Sequence, residues 1–196
     1  MEDGLLAMGG DLSVDRLLLA YQQGIFPWYE GNTPLWWSPH PRFVLFPQQL
    51  IVAKSMHQLI KKKKFEFTIN QDFAAVINAC KLVKRADQVG TWITPAVEQS
   101  YIQLHQLGHA HSAETWLDGK LVGGLYGIQM GNLFFGESMF SKSSNASKFA
   151  FIQYVRVLQN QGVQLIDCQV YTQHLESFGA RMISRAEFKH YLATLL

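Results

Sequence analysis

Residues 109–170 follow the pattern of three strands joined by tight turns, then a helix and a fourth strand. Asp118-Gly119 and Gly131-Asn132 favour tight turns, because glycine and asparagine adopt left-handed backbone angles at low cost. Strands joined by short turns pair antiparallel, so the pattern predicts an antiparallel sheet flanked by helices, in the α+β class. The strands are predicted at residues 109–117, 120–128, 133–140 and 165–170.

An aspartate interrupts the fourth predicted strand, whose other residues are mostly apolar. Because side chains alternate along a strand, Asp167 and Gln169 are predicted on one face and Cys168 on the other. A buried carboxylate costs free energy unless it is paired or hydrogen-bonded, and the Gln169 carboxamide is one candidate partner. Two interpretations stay open: a structural hydrogen bond that holds a loop, or a polar catalytic pair in an otherwise apolar strand.

The composition is that of a folded protein, and we expect it in the cytoplasm. Hydrophobic residues make up 48% of the 196 residues and charged residues 16%, which excludes a disordered chain. Cys80 and Cys168 lie in apolar stretches, which favours free thiols in a reducing compartment. The sequence has no apolar run of about 20 residues and no signal-peptide pattern, so no membrane partner is predicted. The net charge of +2 is small, so binding of nucleic acid would depend on a local basic patch.

A polar stretch at residues 84–90 indicates a boundary between two domains. We expect an N-terminal domain over residues 1–89 and a C-terminal domain over residues 90–196. Near the end of the chain, Ser184 and Glu187 have the spacing of a capping box, which predicts the start of a last helix.

The N-terminal part contains an aromatic, proline-rich segment and a run of lysines. Trp28 in this segment either packs beneath a loop or stacks on a ligand. Residues 48–60 are predicted to form a helix that continues into the lysines at 61–64. Those lysines are either the solvated end of the helix or a phosphate-binding patch. Irregular chain is predicted around the prolines at positions 27, 34, 39 and 41.

Two other kinds of site are disfavoured. His109 and His111 share a face of a predicted strand, but no third ligand stands at the right spacing, so no metal site is predicted. Ser138 and Cys168 could serve a hydrolase as nucleophiles. However, Cys168 is predicted to point away from Asp167, and the sequence has no Gly-x-Ser-x-Gly motif.

The order of meander, helix and re-entering strand resembles the architecture of the acyl-CoA N-acyltransferases. Those enzymes hold a pyrophosphate with a glycine-rich loop at the start of the helix. The corresponding residues 143–147 contain no glycine, so we expect an acyl carrier other than coenzyme A and no cofactor. An acyl-CoA-type N-acyltransferase therefore stays only as an alternative.

Seven longer stretches carry a more specific likeness. Residues 36–42 (WWSPHPR) and 165–169 (LIDCQ) are two of them. Together they resemble the bacterial leucyl/phenylalanyl-tRNA–protein transferase family, in order and over nearly the whole chain. The other stretches are residues 4–12, 24–28, 90–94, 108–112 and 135–141.

This resemblance implies an activity and a domain arrangement. Leucine, phenylalanine or, less readily, methionine would move from its tRNA to an N-terminal Arg or Lys of an acceptor protein, marking it for degradation. The enzyme would be a monomer with a small N-terminal α/β domain that contacts tRNA. Its C-terminal domain would be catalytic and similar to the acyl-CoA N-acyltransferases.

The resemblance also implies roles for particular residues. Asp167 would polarise Gln169, which would contact the attacking amine. Glu137 would either steer the acceptor's cationic N-terminus or stabilise the fold. The tRNA would be bound at its terminal adenine by Trp28 and Trp92, and at its acceptor arm by Lys54, Lys61 and Lys62. The apolar pocket for the amino-acid side chain would consist of Leu125, Phe134, Gly136, Phe151, Tyr154, Leu158 and Ile166.

Two positions depart from the family pattern. Tyr154 stands where a phenylalanine is expected, and Gln58 stands where a basic residue is expected. A rival hypothesis is a non-catalytic RNA-binding module that uses tryptophans and lysines. Such a module would gain little from the buried carboxylate of Asp167, which favours the transferase.

Overall fold

The computed structural model describes residues 4–83 and 91–196, and its strands form two sheets. A 3-10 turn at Pro47–Gln49 is additional to the helices. The helices are α1 (Val14–Gln22), α2 (Lys54–Lys61), α3 (Phe73–Lys81), α4 (Pro95–Gln106), α5 (Ala146–Asn160), α6 (Gln173–Glu176) and α7 (Arg185–Leu195). The strands are β1 (Leu5–Met8), β2 (Phe26–Pro27), β3 (Leu35–Trp37), β4 (Arg42–Leu45), β5 (Glu66–Ile69), β6 (Ala110–Leu117), β7 (Lys120–Met130), β8 (Leu133–Ser141), β9 (Leu165–Gln169) and β10 (Arg181–Ile183).

The larger sheet has seven strands in the order β10-β4-β9-β8-β7-β6-β5. Strands β6, β7 and β8 form the predicted antiparallel meander, and α5 then leads to β9, which pairs parallel to β8. The predicted α+β class is confirmed, with a sheet that is mixed because of this one parallel pair. Across residues 4–83 and 91–196, no helix has the length and apolar character needed to cross a membrane.

The proline-rich segment is more regular than predicted. Strands β1, β3 and β2 form a small antiparallel sheet, in which Phe26 pairs with Trp37 and Pro27 with Trp36. The prediction of irregular chain was wrong here because β2 is an edge strand. A proline is tolerated on an edge strand, where its missing N–H costs no sheet hydrogen bond.

Strands from early in the chain belong to the larger sheet. Strand β4 lies between β9 and β10, and β5 pairs with β6 at the opposite edge. The predicted boundary between residues 89 and 90 falls within residues 84–90, outside the described ranges. Strands on both sides of it share one sheet, so residues 42–83 pack together with residues 91–196 rather than apart from them.

Two apolar cores lie on opposite faces of the larger sheet. The first core packs α1, α3, α4 and α7 against one face, and includes Leu17, Val76, Tyr101, Phe135 and Phe188. The second core packs α2 and α5 against the other face, and includes Leu45, Met56, Phe134, Ile152 and Ile166. Neighbouring residues of a strand therefore enter different cores, as Phe134 and Phe135 do.

The helix boundaries follow local chemistry. The capping box at Ser184 and Glu187 is present, as predicted, at the start of α7. The helix predicted at residues 48–60 begins only at Lys54. Gln48 and Gln49 belong to the 3-10 turn, and residues 50–53 stay outside the helix, where the Ile51 N–H donates a hydrogen bond to the Phe178 carbonyl at 2.9 Å.

Candidate active site

A gap opens in the larger sheet where the two parallel strands separate. The pairing of β8 with β9 runs from Leu133 and Leu165 to Phe135 and Asp167, although both strands continue further. Beside this gap lies a cavity of about 450 Å³, walled mainly by apolar side chains. Strands β2, β7, β8 and β9 contribute to its wall, as do α5 and α6.

Most of the residues predicted to bind substrate border this cavity. Tyr154 and Leu158 are buried behind the wall, and the Tyr154 ring meets the edge of Phe134 at 5.2 Å between centroids. Gln169 borders the cavity, whereas Asp167 lies beneath it. The predicted residues in the wall are Trp28, Trp92, Leu125, Phe134, Gly136, Glu137, Phe151 and Ile166.

The buried carboxylate of Asp167 is paired with an arginine. Arg42 donates to Asp167 Oδ1 from Nε at 2.8 Å and to Oδ2 from Nη2 at 2.7 Å. Arg42 is 1% exposed and Asp167 0%. Arg42 Nη2 also donates to the Gly24 carbonyl at 3.0 Å. The Phe188 ring, centred 4.6 Å from the guanidinium carbon, helps to cover the pair. A two-point ion pair of this geometry fixes the orientation of the carboxylate.

Asp167 in turn holds the backbone of Gln169. Its Oδ1 atom accepts a hydrogen bond from the Gln169 N–H at 2.9 Å. Gln169 has a φ of 64°, in the left-handed region that non-glycine residues rarely adopt. As predicted, Asp167 and Cys168 face opposite ways, because Cys168 packs in the second core. The contact between Asp167 and Gln169 is made by the backbone N–H rather than by the side-chain carboxamide.

Glu137 is the centre of a polar cluster at the end of the cavity. Gln169 Nε2 and the Tyr21 hydroxyl donate to its Oε1 at 2.8 and 2.7 Å, and the Tyr101 hydroxyl donates to Oε2 at 3.1 Å. The two tyrosine hydroxyls also contact each other. Burial raises the pKa of Glu137 to about 7, against the effect of the tyrosine hydrogen bonds, and nearby Asp167 adds to the rise.

Cys168 borders the cavity but is a poor nucleophile. Burial raises the pKa of its thiol well above the usual range, and the neighbouring Asp167 carboxylate contributes to the rise. Since the thiolate is the reactive form, this environment disfavours a hydrolase based on Cys168.

Comparisons with known proteins identify the family. A family model described as leucyl/phenylalanyl-tRNA protein transferase matches residues 44–193, and a model of that family's N-terminal domain matches residues 10–40. The chain belongs to this family. A leucyl/phenylalanyl-tRNA–protein transferase of Pseudomonas fluorescens is 58% identical over 97% of the chain and 84% of its own length. One of Christiangramia forsetii is 58% identical over 97% of the chain and 92% of its own length. Among solved structures, one described as L-PGS from Bacillus licheniformis is 12% identical, with a TM-score of 0.46 over 88% of this chain and 57% of that one.

The family's two models divide the chain at the start of β4. The N-terminal model ends at residue 40, and the longer model, which begins at residue 44, spans nearly all of the larger sheet. The small sheet of β1, β2 and β3 precedes this division, and all of β1 lies before residue 10, where the N-terminal model begins. The longer model therefore holds the last two residues of β4 and all of β5 together with the strands that they pair with.

The lysines expected to bind tRNA lie on α2 in this member of the transferase family. Lys54 begins α2, Lys61 ends it and Lys62 caps it, and all three side chains are exposed. Gln58 is exposed on the same helix. None of these four side chains is in the cavity wall. Their role therefore depends on whether a bound tRNA reaches from the cavity to α2.

Three residues of the site were not predicted from the sequence. Tyr21 and Tyr101 lie on apolar faces of helices, where a tyrosine is indistinguishable from a packing residue until its partner is known. Arg42 ends the stretch at residues 36–42 that resembles the transferase family. An arginine within a strongly apolar sequence was the available signal, because a buried arginine needs a counterion.

Proposed function

We propose that this transferase moves leucine or phenylalanine, and methionine less readily, from aminoacyl-tRNA to an N-terminal Arg or Lys of acceptor proteins. Aminoacyl transfer from tRNA to protein is the activity of its family. The observation that carries the finer proposal is the cavity, with an apolar wall and the polar pair Glu137 and Gln169 at one end. We further propose a cytoplasmic monomer whose products are marked for degradation.

The proposed reaction is attack by the acceptor's α-amine on the aminoacyl ester. The ester is already activated, so the reaction needs no covalent acyl-enzyme. An α-amine has a pKa of about 8, which leaves a useful neutral fraction at physiological pH. Holding the amine and ester in attack geometry supplies on the order of 7–11 kcal/mol toward the barrier. The protein's task is therefore to bind the two substrates side by side and to accept a proton.

The cavity wall suits the two parts of the donor. Phe134, Phe151 and Ile166 form an apolar surface for the amino-acid side chain. Trp28 and Trp92 border the same cavity, and their rings can stack on the terminal adenine. Trp28 is 38% exposed, which is unusual for tryptophan and favours the stacking role over simple packing.

The acceptor's N-terminus would lie at the polar end of the cavity. Glu137 offers a carboxylate to a cationic amine or side chain, and Gln169 offers a carboxamide beside it. We propose that residues 1–89, together with Trp92, contribute the tRNA contacts and that residues 90–196 hold the catalytic centre, which Tyr21 and Arg42 complete from the first part of the chain. The separation of β8 from β9 supports an arrangement of residues 90–196 like that of the acyl-CoA N-acyltransferases.

A direct transfer assay tests the proposal. The protein is incubated with radiolabelled Leu-tRNA or Phe-tRNA and a model protein that begins with Arg. We expect label at the Arg N-terminus and none on the same protein with an acetylated N-terminus. Absence of transfer from both tRNAs, by a folded sample, would refute the proposed function.

Replacing Lys61 and Lys62 with alanine should weaken tRNA binding. Each lost phosphate contact lowers the slope of log affinity against log salt by about one unit. The measurement is a binding titration at several salt concentrations. Replacing the exposed Lys120 and Lys189 instead gives a control with the same loss of charge. An equal effect of both double variants would show that the residue 61–62 pair acts only through net charge.

Enlarging Gly136 should reduce phenylalanine transfer. A Cβ atom built there would stand 3.5 Å from the Asp167 carbonyl oxygen and 4.0 Å from Phe134, so the fold accepts it. The side chain would then occupy the cavity. One methylene in such a pocket is worth roughly 1–3 kcal/mol, so Gly136→Ala should have a small effect and Gly136→Val a large one. The effect of each substitution is measured as the transfer rate of phenylalanine relative to that of leucine. Binding of adenosine, which should not change, is the control. Wild-type phenylalanine transfer by Gly136→Val would place the side-chain pocket elsewhere.

A further inference from the structure

The hydrogen bonds around Glu137 form a ring that is one proton short when the carboxylate is ionised. Three contacts join the Tyr21 hydroxyl, the Tyr101 hydroxyl and the two carboxylate oxygens. Two hydroxyl hydrogens are available for these three contacts. One contact between oxygens is therefore left without a hydrogen in the ionised state.

A proton on Glu137 completes the ring. The protonated Oε2 then donates to Tyr101, Tyr101 donates to Tyr21, and Tyr21 donates to Oε1. Gln169 Nε2 donates to Oε1 in either state. The geometry therefore accommodates both forms of the carboxylate and supplies a hydrogen-bonded place for one added proton.

The charges around the carboxylate also favour proton uptake. The negative charge of Asp167 on β9, although paired with Arg42, raises the pKa of Glu137. The tyrosines are held in their neutral form, because burial first and the Glu137 charge second raise the pKa of Tyr21 and of Tyr101. Among the described residues, the titratable and charged groups that face Glu137 or border its cavity are Tyr21 on α1, Tyr101 on α4, Tyr126 on β7, Asp167 with Arg42, Cys168 on β9, and His174 on α6.

We propose that Glu137 accepts the proton that the acceptor's amine loses during transfer, a role that rests on the proposed function. The amine nitrogen forms a bond to the aminoacyl carbonyl carbon, and the bond from that carbon to the ribose oxygen breaks. The amine proton passes to Glu137 and closes the ring with the tyrosines. Glu137 then returns the proton to the leaving ribose oxygen, so the enzyme ends in its starting state.

The other polar groups of the site suit this step less well. The Gln169 carboxamide is not a base at neutral pH, and it already donates to Glu137. Asp167 lies outside the cavity wall and has both oxygens bonded to Arg42. His174 borders the cavity, but burial and Lys148 lower the pKa of its ring, which weakens it as a base. Glu137 borders the cavity and its raised pKa lies near neutrality, whereas the pKa of Cys168 is raised far above that range.

Replacing Glu137 with glutamine separates proton acceptance from structure. The Gln amide can donate to Tyr101 and accept from Tyr21, so it copies the protonated carboxyl group and keeps the ring. We expect Glu137→Gln to fold and bind Leu-tRNA as the wild type does. Its single-turnover transfer rate should fall by about 10²–10⁴-fold, the usual contribution of a general base. Glu66→Gln, at an exposed site on β5, is the control for the loss of one carboxylate.

The pH profile distinguishes this role from a structural one. The wild-type rate should rise through pH 7, where Glu137 loses its proton, and again near 8, where the acceptor's amine does. Glu137→Gln should keep only the second rise. A rate within threefold of the wild type, or a lower rate with an unchanged pH profile, would overturn the proposal.

A second variant and a direct titration cover the case of misfolding. Glu137→Ala should regain activity with added formate, and more with the stronger base acetate if both fit. In the wild type, carbon-13 NMR of labelled glutamate should show one carboxyl group that titrates near pH 7. A Glu137 signal that titrates in the ordinary range near 4.5 would overturn the proposal without any activity assay. If the wild type transfers no amino acid at all, the proposed function fails first, and the titration still reports on Glu137.

Discussion

Replacing Gln169 with alanine should lower the transfer rate by about 10²–10³-fold, with tRNA affinity nearly unchanged. One N–H of its carboxamide bonds Glu137 at 2.8 Å, which leaves the carboxamide oxygen and the second N–H for the reacting groups. Removing one preorganised donor from an active site typically costs about 2.7–4 kcal/mol of transition-state stabilisation. The proposed tRNA contacts are made by other side chains, namely Trp28, Trp92 and the lysines, so binding should persist.

Single-turnover kinetics at saturating Leu-tRNA measure this effect. Gln164→Ala is a matched control, because Gln164 is exposed and directly precedes β9. Gln169→Asn tests the geometry, since asparagine tolerates the left-handed backbone but is one methylene too short to keep the bond to Glu137. Wild-type turnover by Gln169→Ala would return Gln169 to a structural role.

Neutralising only one member of the Arg42–Asp167 pair should destabilise the fold strongly. Asp167→Asn leaves the Arg42 guanidinium buried without a counterion. Arg42→Met leaves the Asp167 carboxylate buried without a counterion. Breaking a buried ion pair in this way costs about 3–5 kcal/mol, a large part of the stability of an ordinary domain. Removing both charges avoids the unpaired ion, so the double variant should be more stable than either single variant.

Urea unfolding of the three variants measures the coupling between the two side chains. The double variant should regain stability but not activity, because the carboxylate no longer orients the Gln169 backbone. The exposed pair of Asp11 and Arg16, 3.4 Å apart, is a control, and its removal should change the free energy of unfolding by less than about 1 kcal/mol. Single variants of the buried pair that unfold like the wild type would show that the ion pair is dispensable.

Several strands and helices could be predicted from short stretches of the sequence. The meander, α5, β9 and the capping box of α7 all follow from turn dipeptides, alternation or cap spacing within about ten residues. Most of the pocket residues that the resemblance to the transferases implies lie in the wall of one cavity, and their binding of the amino-acid side chain stays a prediction.

Contacts between distant parts of the chain were not predictable in this way. Arg42 meets Asp167 across 125 residues of sequence, and Tyr21 meets Glu137 across 116. The sequence marks Arg42 and Asp167 as charged residues within apolar stretches, but no local pattern shows which residue each of these side chains will meet. The left-handed backbone of Gln169 also depends on a tertiary contact, since Asp167 can hold it only once Arg42 has fixed the carboxylate.

The position of β4 between β9 and β10 has a consequence for how the enzyme is made. The ribosome synthesises β4 early, whereas both of its hydrogen-bonding neighbours are among the last strands to emerge. Until then the nascent chain carries an unpaired apolar strand, a known starting point for aggregation and chaperone capture. The ion pair beneath Gln169 cannot form before β9 is complete, and Phe188 of α7 covers it only afterwards. On the proposed role of Gln169, aminoacyl transfer therefore requires that the chain has been synthesised at least through β9.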